Sequence, residues 1–67
     1  MEQRKLSPAA ARVNAGIKQK NAAASLGVTT ATLHNWEKGK TSPPIAKAQR
    51  MADLYRIPLD EIQFNRS

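Results

Sequence analysis

Residues 19–38 read QKNAAASLGVTTATLHNWEK, and this stretch decides the fold. It is rich in Ala and contains no alternating run of β-branched or aromatic residues, which favours helix over strand. Ala23 is small enough for a second helix to cross closely, and Gly27 can take the positive φ that a tight turn requires. The spacing predicts two short helices joined at Gly27, which is a helix-turn-helix.

Four apolar residues flank this turn and recur in the second helix, where they would hold the pair together: Leu26, Val28, Leu33 and Trp36. Each residue alone has an ordinary structural interpretation, because Gly27 is also a common helix stop and Leu33 and Trp36 would be core residues in any helical protein. The combination at these offsets indicates a DNA-binding helix-turn-helix, and a helical hairpin with another partner is the remaining interpretation.

Capping residues set the expected bounds of the two central helices. The second helix should run from about Gln19 to Leu26, with Lys18 at an N-cap position that Ser or Thr would fill better. The third should begin after Thr29 as N-cap and run to about Lys38, with a glycine as its stop.

The flanking sequence predicts three further helices. Ser7-Pro8 would start the first, and Gly16 would end it. Ser42 would cap the fourth, with both following prolines in its first turn. Its apolar face would comprise Ile45, Ala48, Met51, Ala52 and Tyr55. Pro58 would end the fourth helix and open a last short one, whose inward residues would be Leu59, Ile62 and Phe64.

Composition excludes several classes of protein. A chain of 67 residues has room for one domain, which we expect over residues 1–67 with its helix-turn-helix core at 19–38. It has no Cys and one His, which argues against a disulfide scaffold, a zinc site and a catalytic thiol. We therefore expect no enzyme, no metal and no cofactor. No apolar run approaches the ~20 residues of a membrane span, and MEQRKLSPAA lacks an apolar signal core, so we expect a cytoplasmic protein.

The net charge of +6 suggests a polyanionic partner. Residues 1–40 carry seven basic and two acidic residues, or +5, whereas residues 41–67 carry four and three, or +1. A surplus that only kept the protein soluble would have no reason to concentrate in one half. The charge therefore places an expected nucleic-acid-binding face in the first 40 residues.

The stretch from Ala10 to Phe64 resembles the XRE family of lambda-repressor-like and Cro-like regulators. The similarity rests on AARVNAGIKQKNAAASLGV, TLHNWEKGKTSP and LYRIPLDEI, and it is strongest for single-domain phage or prophage regulators of Gram-positive bacteria. It implies an all-α, compact five-helix bundle in which helices 2 and 3 form the helix-turn-helix. It also implies a nucleoid-associated protein of a bacterial or phage-infected cell. Two features depart from the family pattern: Lys18 replaces the usual Ser or Thr cap, and the segment before Ala10 matches less well.

The resemblance implies that the third helix enters the major groove. The residues expected to face base edges are Thr29, Thr30, Ala31 and Asn35. Of these, Asn35 is the main candidate for direct readout, because its amide can bond both N6 and N7 of adenine. Thr30 can bond a base edge, and Ala31 offers only an apolar contact.

The same resemblance implies a set of phosphate contacts: Lys18, Gln19, Thr32, Lys38 and Lys40. Lys18 would weaken its helix as a cap while placing a positive charge beside the DNA backbone. We interpret His34 as an exposed helix position rather than a DNA contact. Arg12 and Glu37 match family positions that form an ion pair between the first and third helices. That pair would neutralise a carboxylate close to DNA, and the alternative is two unpaired surface charges.

We therefore expect a small transcriptional regulator, with a repressor favoured, that binds a palindromic double-stranded operator. The alternative is a protein-interaction module such as an antitoxin or antirepressor with the same fold. A basic amphipathic membrane binder is disfavoured by the caps, glycine stops and prolines, and no small-molecule ligand is expected. Weak dimerisation, strengthened on DNA, would use residues near the C-terminus: Tyr55, Arg56, Ile57, Phe64 or their neighbours.

Overall fold

A computed structural model describes residues 5–64 of the chain. These residues form four α-helices, namely α1 (Pro8–Asn14), α2 (Gln19–Leu26), α3 (Thr30–Lys38) and α4 (Ile45–Tyr55), and one turn of 3₁₀-helix, Leu59–Glu61. No β-strand occurs in this range, and the prediction of an all-helical chain is confirmed. The Cα radius of gyration is 10.9 Å, which matches the ~11 Å of a compact chain of this length. None of the helices between residues 5 and 64 is long and apolar enough to cross a bilayer.

Local sequence signals set the helix starts as predicted in three cases. Ser7 Oγ accepts a hydrogen bond from the Ala10 N–H at 3.0 Å and caps α1. Thr29 Oγ1 accepts from the Thr32 N–H at 3.1 Å and caps α3. Lys18 occupies the N-cap position of α2 and makes no side-chain capping bond. A lysine ammonium group has no acceptor atom, so it cannot cap the free N–H groups at the start of the helix.

The predicted fifth helix is wrong, because the residues after Pro58 form only the 3₁₀ turn. Residues beyond that turn are drawn into an extended pairing instead. Leu6 N–H donates to the Glu61 carbonyl at 2.9 Å, and Gln63 N–H donates to the Leu6 carbonyl at 2.8 Å. A three-residue helix leaves most of its backbone N–H and C=O groups without a partner inside the helix. Hydrogen bonds to the backbone of Leu6 satisfy some of these groups. This pairing buries Ile62 against the core, as expected, and Leu59 and Phe64 are partly buried against the same core.

The start of α4 also differs from the prediction. Ser42 is not its cap, because the helix begins at Ile45 with Pro44 at the N-cap position. A proline disfavours the helical conformation in the residue before it, so Pro43 cannot be helical ahead of Pro44. Ile45 was expected on the apolar face and is 66% exposed. It is the first residue of the helix, and its side chain points toward the helix N-terminus, away from the turns that pack against the core.

The buried core is built from all four helices and from Ile62. Its largest members are Leu33, Met51, Trp36 and Tyr55, and they pack among small residues that let the helices approach closely: Ala11, Ala22, Ala23, Ala48 and Ala52. The helix pair α2–α3 and the pair α2–α4 are both in contact, so α2 lies between α3 and α4. The ends of the expected domain, residues 1–4 and 65–67 with Arg4 and Arg66, lie outside the described residues.

One helix end gives a test of the fold. α4 terminates at Arg56, which adopts the left-handed conformation with φ 61° and ψ 42°. A residue with a Cβ pays about 1–2 kcal/mol there, and glycine avoids this cost at a smaller entropic penalty. Arg56→Gly should therefore raise the free energy of unfolding by up to about 1 kcal/mol, or the Tm by roughly 4–8 °C. The measurement is thermal unfolding by circular dichroism.

Arg56→Ala is the matched control, because it removes the same side chain and keeps the Cβ. It should leave the Tm unchanged or lower it. A rise in Tm of equal size for both variants would show that the side chain, rather than the backbone conformation, is the unfavourable feature.

Candidate nucleic-acid interface

The turn between α2 and α3 fixes how the two helices meet. Gly27 has φ 72° and ψ 31°, a left-handed conformation that glycine adopts without steric cost. The Val28 N–H donates to the Ala23 carbonyl at 3.0 Å, and the Gly27 N–H donates to the Ala24 carbonyl at 3.2 Å. This pair of bonds is a Schellman motif, which ends α2 and reverses the chain within a few residues. Ala23, in the middle of α2, is buried, and α2 packs against α3.

The residues expected to read bases lie at the start of α3 and one turn further on. Thr30 and Ala31 are exposed, and Asn35 is half-buried. Thr29 is exposed, but its hydroxyl already serves the helix: it accepts from the Thr32 N–H and donates to Thr32 Oγ1 at 2.9 Å. Thr29 is therefore primarily a cap. The side chains of Thr30, Ala31 and Asn35 make no hydrogen bond within the described part of the chain.

The lysines expected to bind phosphate lie at helix ends. Lys18 lies at the start of α2, and Lys38 and Lys40 lie at the end of α3; all three are exposed. Thr32 is half-buried and accepts from Thr29, so only its own hydroxyl hydrogen is left to donate. His34 is exposed.

Arg12 and Glu37 form an ion pair that joins α1 to α3. Arg12 Nε lies 2.8 Å from Glu37 Oε2, and the two side chains are only 14% and 6% exposed. A second Arg12 nitrogen donates to the Ile17 carbonyl at 2.9 Å. The guanidinium thereby ties together α1, α3 and the connection that leads into α2.

Gln19 completes this cluster in a way that the sequence did not reveal. Its Nε2 donates to Glu37 Oε1 at 2.9 Å, so the residue expected to bind phosphate is also bonded to α3. A carboxamide nitrogen carries two hydrogens, and the second one remains available. Both oxygens of Glu37 are thus occupied by donors from α1 and α2.

Two basic residues of α4 were also missed as structural groups. Lys47 Nζ donates to the Leu26 carbonyl at 2.8 Å, and Arg50 donates to the Ser25 carbonyl at 3.4 Å. The only signal in the sequence is indirect: the last turn of α2 contains no basic residue of its own. Which distant cation would complement it depends on the packing of α4.

The Tyr55 hydroxyl is buried and has no hydrogen-bond partner among the described residues. Burial raises the pKa of Tyr55 from about 10 to about 12; the charge of Glu37 adds to this rise, and Arg12 opposes it. The phenol is therefore neutral throughout the physiological range, and its ring is part of the buried core.

Comparison with known proteins agrees with this geometry. A family model described as helix-turn-helix, of the XRE type, matches residues 9–62. The chain belongs to this family, whose members are DNA-binding regulators. No curated protein and no solved structure matches the chain.

The Arg12–Glu37 pair gives a test of how α3 is held. Arg12→Met and Glu37→Leu should each lower the free energy of unfolding by about 3 kcal/mol. Each change leaves a largely buried charge without the opposite charge that neutralises it. The double variant should lose less than the sum of the two, since it removes both charges together. Urea denaturation at neutral pH measures all three.

Lys20→Met is the control, because Lys20 is exposed on α2 and should change stability by no more than about 0.5 kcal/mol. If the losses from the two single changes simply add in the double variant, the ion pair does not couple α1 to α3.

Proposed function

We propose that this chain is a sequence-specific transcriptional regulator that represses by placing the N-terminal half of α3 in the major groove of operator DNA. One observation carries the proposal: Glu37, the single acidic residue between residues 3 and 52, is turned inward to Arg12 and Gln19. The surface around α3 thereby keeps its basic and uncharged polar groups and loses its one repulsive charge.

The cross-section of α3 fits the groove. An α-helix with its side chains is about 10–12 Å in diameter, and the major groove of B-DNA is about 12 Å wide. Ala31 and Asn35 are four residues apart and share a face with each other. In this proposal Asn35 reads adenine through its amide, and Thr30 and Ala31 contact base edges or a thymine methyl group.

Phosphate contacts would hold α3 in register. Lys18 places an exposed ammonium group beside the N–H groups at the start of α2, a combination that favours a phosphate. The second amide hydrogen of Gln19 could bond the same backbone while the first stays on Glu37. Lys38 and Lys40 would contact the backbone at the C-terminal end of α3, which the Gln19–Glu37 bond holds near the start of α2, and the Thr32 hydroxyl would add a further contact.

Repression is the simpler regulatory outcome for such a surface. Occupying an operator blocks access to the DNA under it, and the α3 face with its flanking lysines is enough for that. Activation would need an additional surface for the transcription machinery.

We propose that two copies bind adjacent half-sites of a palindromic operator through the start of α4. Tyr55 was expected in such an interface, but it is 2% exposed and belongs to the core. Ile45 is instead 66% exposed. It borders an open apolar groove of about 460 Å³ that includes Leu59 and Phe64. Ser42 and Pro43, which also line this groove, belong to the segment that joins α3 to α4, and in this proposal a second copy on a neighbouring half-site covers the groove.

The division between base and phosphate contacts gives a direct test. Asn35→Ala should reduce discrimination between the selected operator and unrelated DNA by roughly 1–3 kcal/mol. Lys38→Ala should weaken binding to all duplexes similarly and lower the slope of log K against log salt by about 1. An operator selected from random duplexes and fluorescence anisotropy at several salt concentrations supply these quantities.

Lys20→Ala, also on an exposed lysine but outside the proposed contacts, is the control for general charge loss. Equal weakening of all sequences by Asn35→Ala would rule out its role in readout. If the wild-type protein shows no salt-dependent binding to any duplex, the protein-interaction alternative, an antitoxin or antirepressor, takes precedence.

The pairing of two copies is tested with Ile45→Ser. This change should lower cooperativity on DNA with two half-sites and leave affinity for a single half-site unchanged, because Ile45 lies outside α3. Val13→Ser is the matched control, since Val13 is equally exposed at 65% but lies on α1. Unchanged cooperativity in Ile45→Ser would place the contact between copies elsewhere.

A further inference from the structure

The C-terminal end of α2 has an unusually complete set of partners. A helix leaves its last four carbonyl groups without partners in the helix itself. Here the Schellman motif uses the first two of them, with the Val28 N–H on Ala23 and the Gly27 N–H on Ala24. The last two carbonyls, those of Ser25 and Leu26, accept from cationic side chains.

Both cations come from α4 rather than from α2. Lys47 Nζ donates to the Leu26 carbonyl at 2.8 Å in a half-buried setting, and Arg50 reaches the Ser25 carbonyl at a longer 3.4 Å in an exposed one. The partial negative charge at the end of a helix favours a cation there. Since the last turn of α2 has no basic residue, α4 supplies this charge across the helix interface.

Lys47 also lies directly over the turn. A Cβ on Gly27 would meet Lys47 Nζ at 3.8 Å. The ammonium group therefore covers the left-handed residue that sets the angle between α2 and α3. This contact connects α4, which lies outside the helix-turn-helix, to the one position on which the orientation of α3 depends.

We propose that Lys47 is a positioning residue for DNA recognition: it holds the α2–α3 turn in the binding geometry through the Leu26 carbonyl and does not contact DNA. The proposal rests on the proposed function for its DNA readout. Arg50 supports Lys47 from the preceding carbonyl and has the smaller effect. Lys47 thus has a different role from Lys18, Lys38 and Lys40, the lysines that we expect to bind phosphate.

Loss of this contact affects recognition through the orientation of α3. A looser turn lowers the fraction of molecules whose α3 is correctly placed, and the apparent affinity falls by that fraction. Base readout requires the correct orientation, whereas non-specific binding relies on lysines at the surface. The ratio of specific to non-specific affinity is therefore the quantity that Lys47 controls.

The experiment compares Lys47→Met, Lys47→Arg and Lys38→Met with the wild-type protein on selected operator and unrelated DNA. Lys47→Met should reduce the specificity ratio on the order of tenfold, with an unchanged salt slope. Lys47→Arg, which keeps a cationic donor, should restore the ratio. Lys38→Met should show the opposite pattern, with a salt slope lower by about 1 and an unchanged ratio.

A purely structural role is separated by a second readout. Global destabilisation removes specific and non-specific binding together, so it leaves the ratio unchanged and appears as a lower Tm. A lower salt slope in Lys47→Met would make Lys47 a phosphate contact and overturn the proposal. An unchanged ratio in that variant would also overturn it.

The wild-type protein gives a test that needs no substitution and no operator. In NMR spectra of the free protein, the Lys47 ammonium hydrogens should exchange slowly, and on adding duplex DNA its Nζ resonance should stay in place while that of Lys38 shifts. A Lys47 resonance that shifts with Lys38 contradicts the proposal. Slow exchange without any binding of DNA would leave the contact standing and instead overturn the proposed function.

Discussion

At Gly27 the backbone takes φ 72° and ψ 31°, and the end of α2, the start of α3 and the side chain of Lys47 all meet there. The turn is short because the Schellman motif reverses the chain using backbone groups alone. It brings α3 against α2, and Ala23 in the middle of α2 is buried. The direction of α3, and with it the surface proposed to bind DNA, follows from this one conformation.

A second constraint is electrostatic and acts on Glu37. A carboxylate on the helix proposed to face DNA would repel phosphate, but both of its oxygens are occupied by Arg12 and Gln19. The neutralisation also ties α1 and the start of α2 to α3. The basic residues fall into two groups. One group, Arg12, Lys47 and Arg50, makes bonds between helices. The other, Lys18, Lys38 and Lys40, is exposed.

The bounds of α2 and α3 could be predicted from the sequence because their signals are local. Thr29 caps α3 with a bond to a residue three positions on, and Gly27 ends α2 through its own conformation. Predictions that depended on more distant packing were less successful. The fifth helix gave way to backbone pairing with the residue 6 segment, and Ile45 lies on the surface although it continues an apolar pattern. Pattern alone cannot show where the neighbouring elements end.

The sequence by itself therefore determined the helical class, the position of the turn and the bounds of the two central helices, and it supplied the residues proposed to contact DNA. Tertiary structure decided which polar groups are already engaged. The bond from Gln19 to Glu37 and the bond from Lys47 to Leu26 join residues 18 and 21 positions apart. A lysine, arginine or glutamine side chain can donate a hydrogen bond equally well to a phosphate, a carboxylate or a carbonyl at the end of a helix. Only the packing of α1, α2 and α4 around α3 selects among them, because it fixes which partner lies within hydrogen-bonding distance.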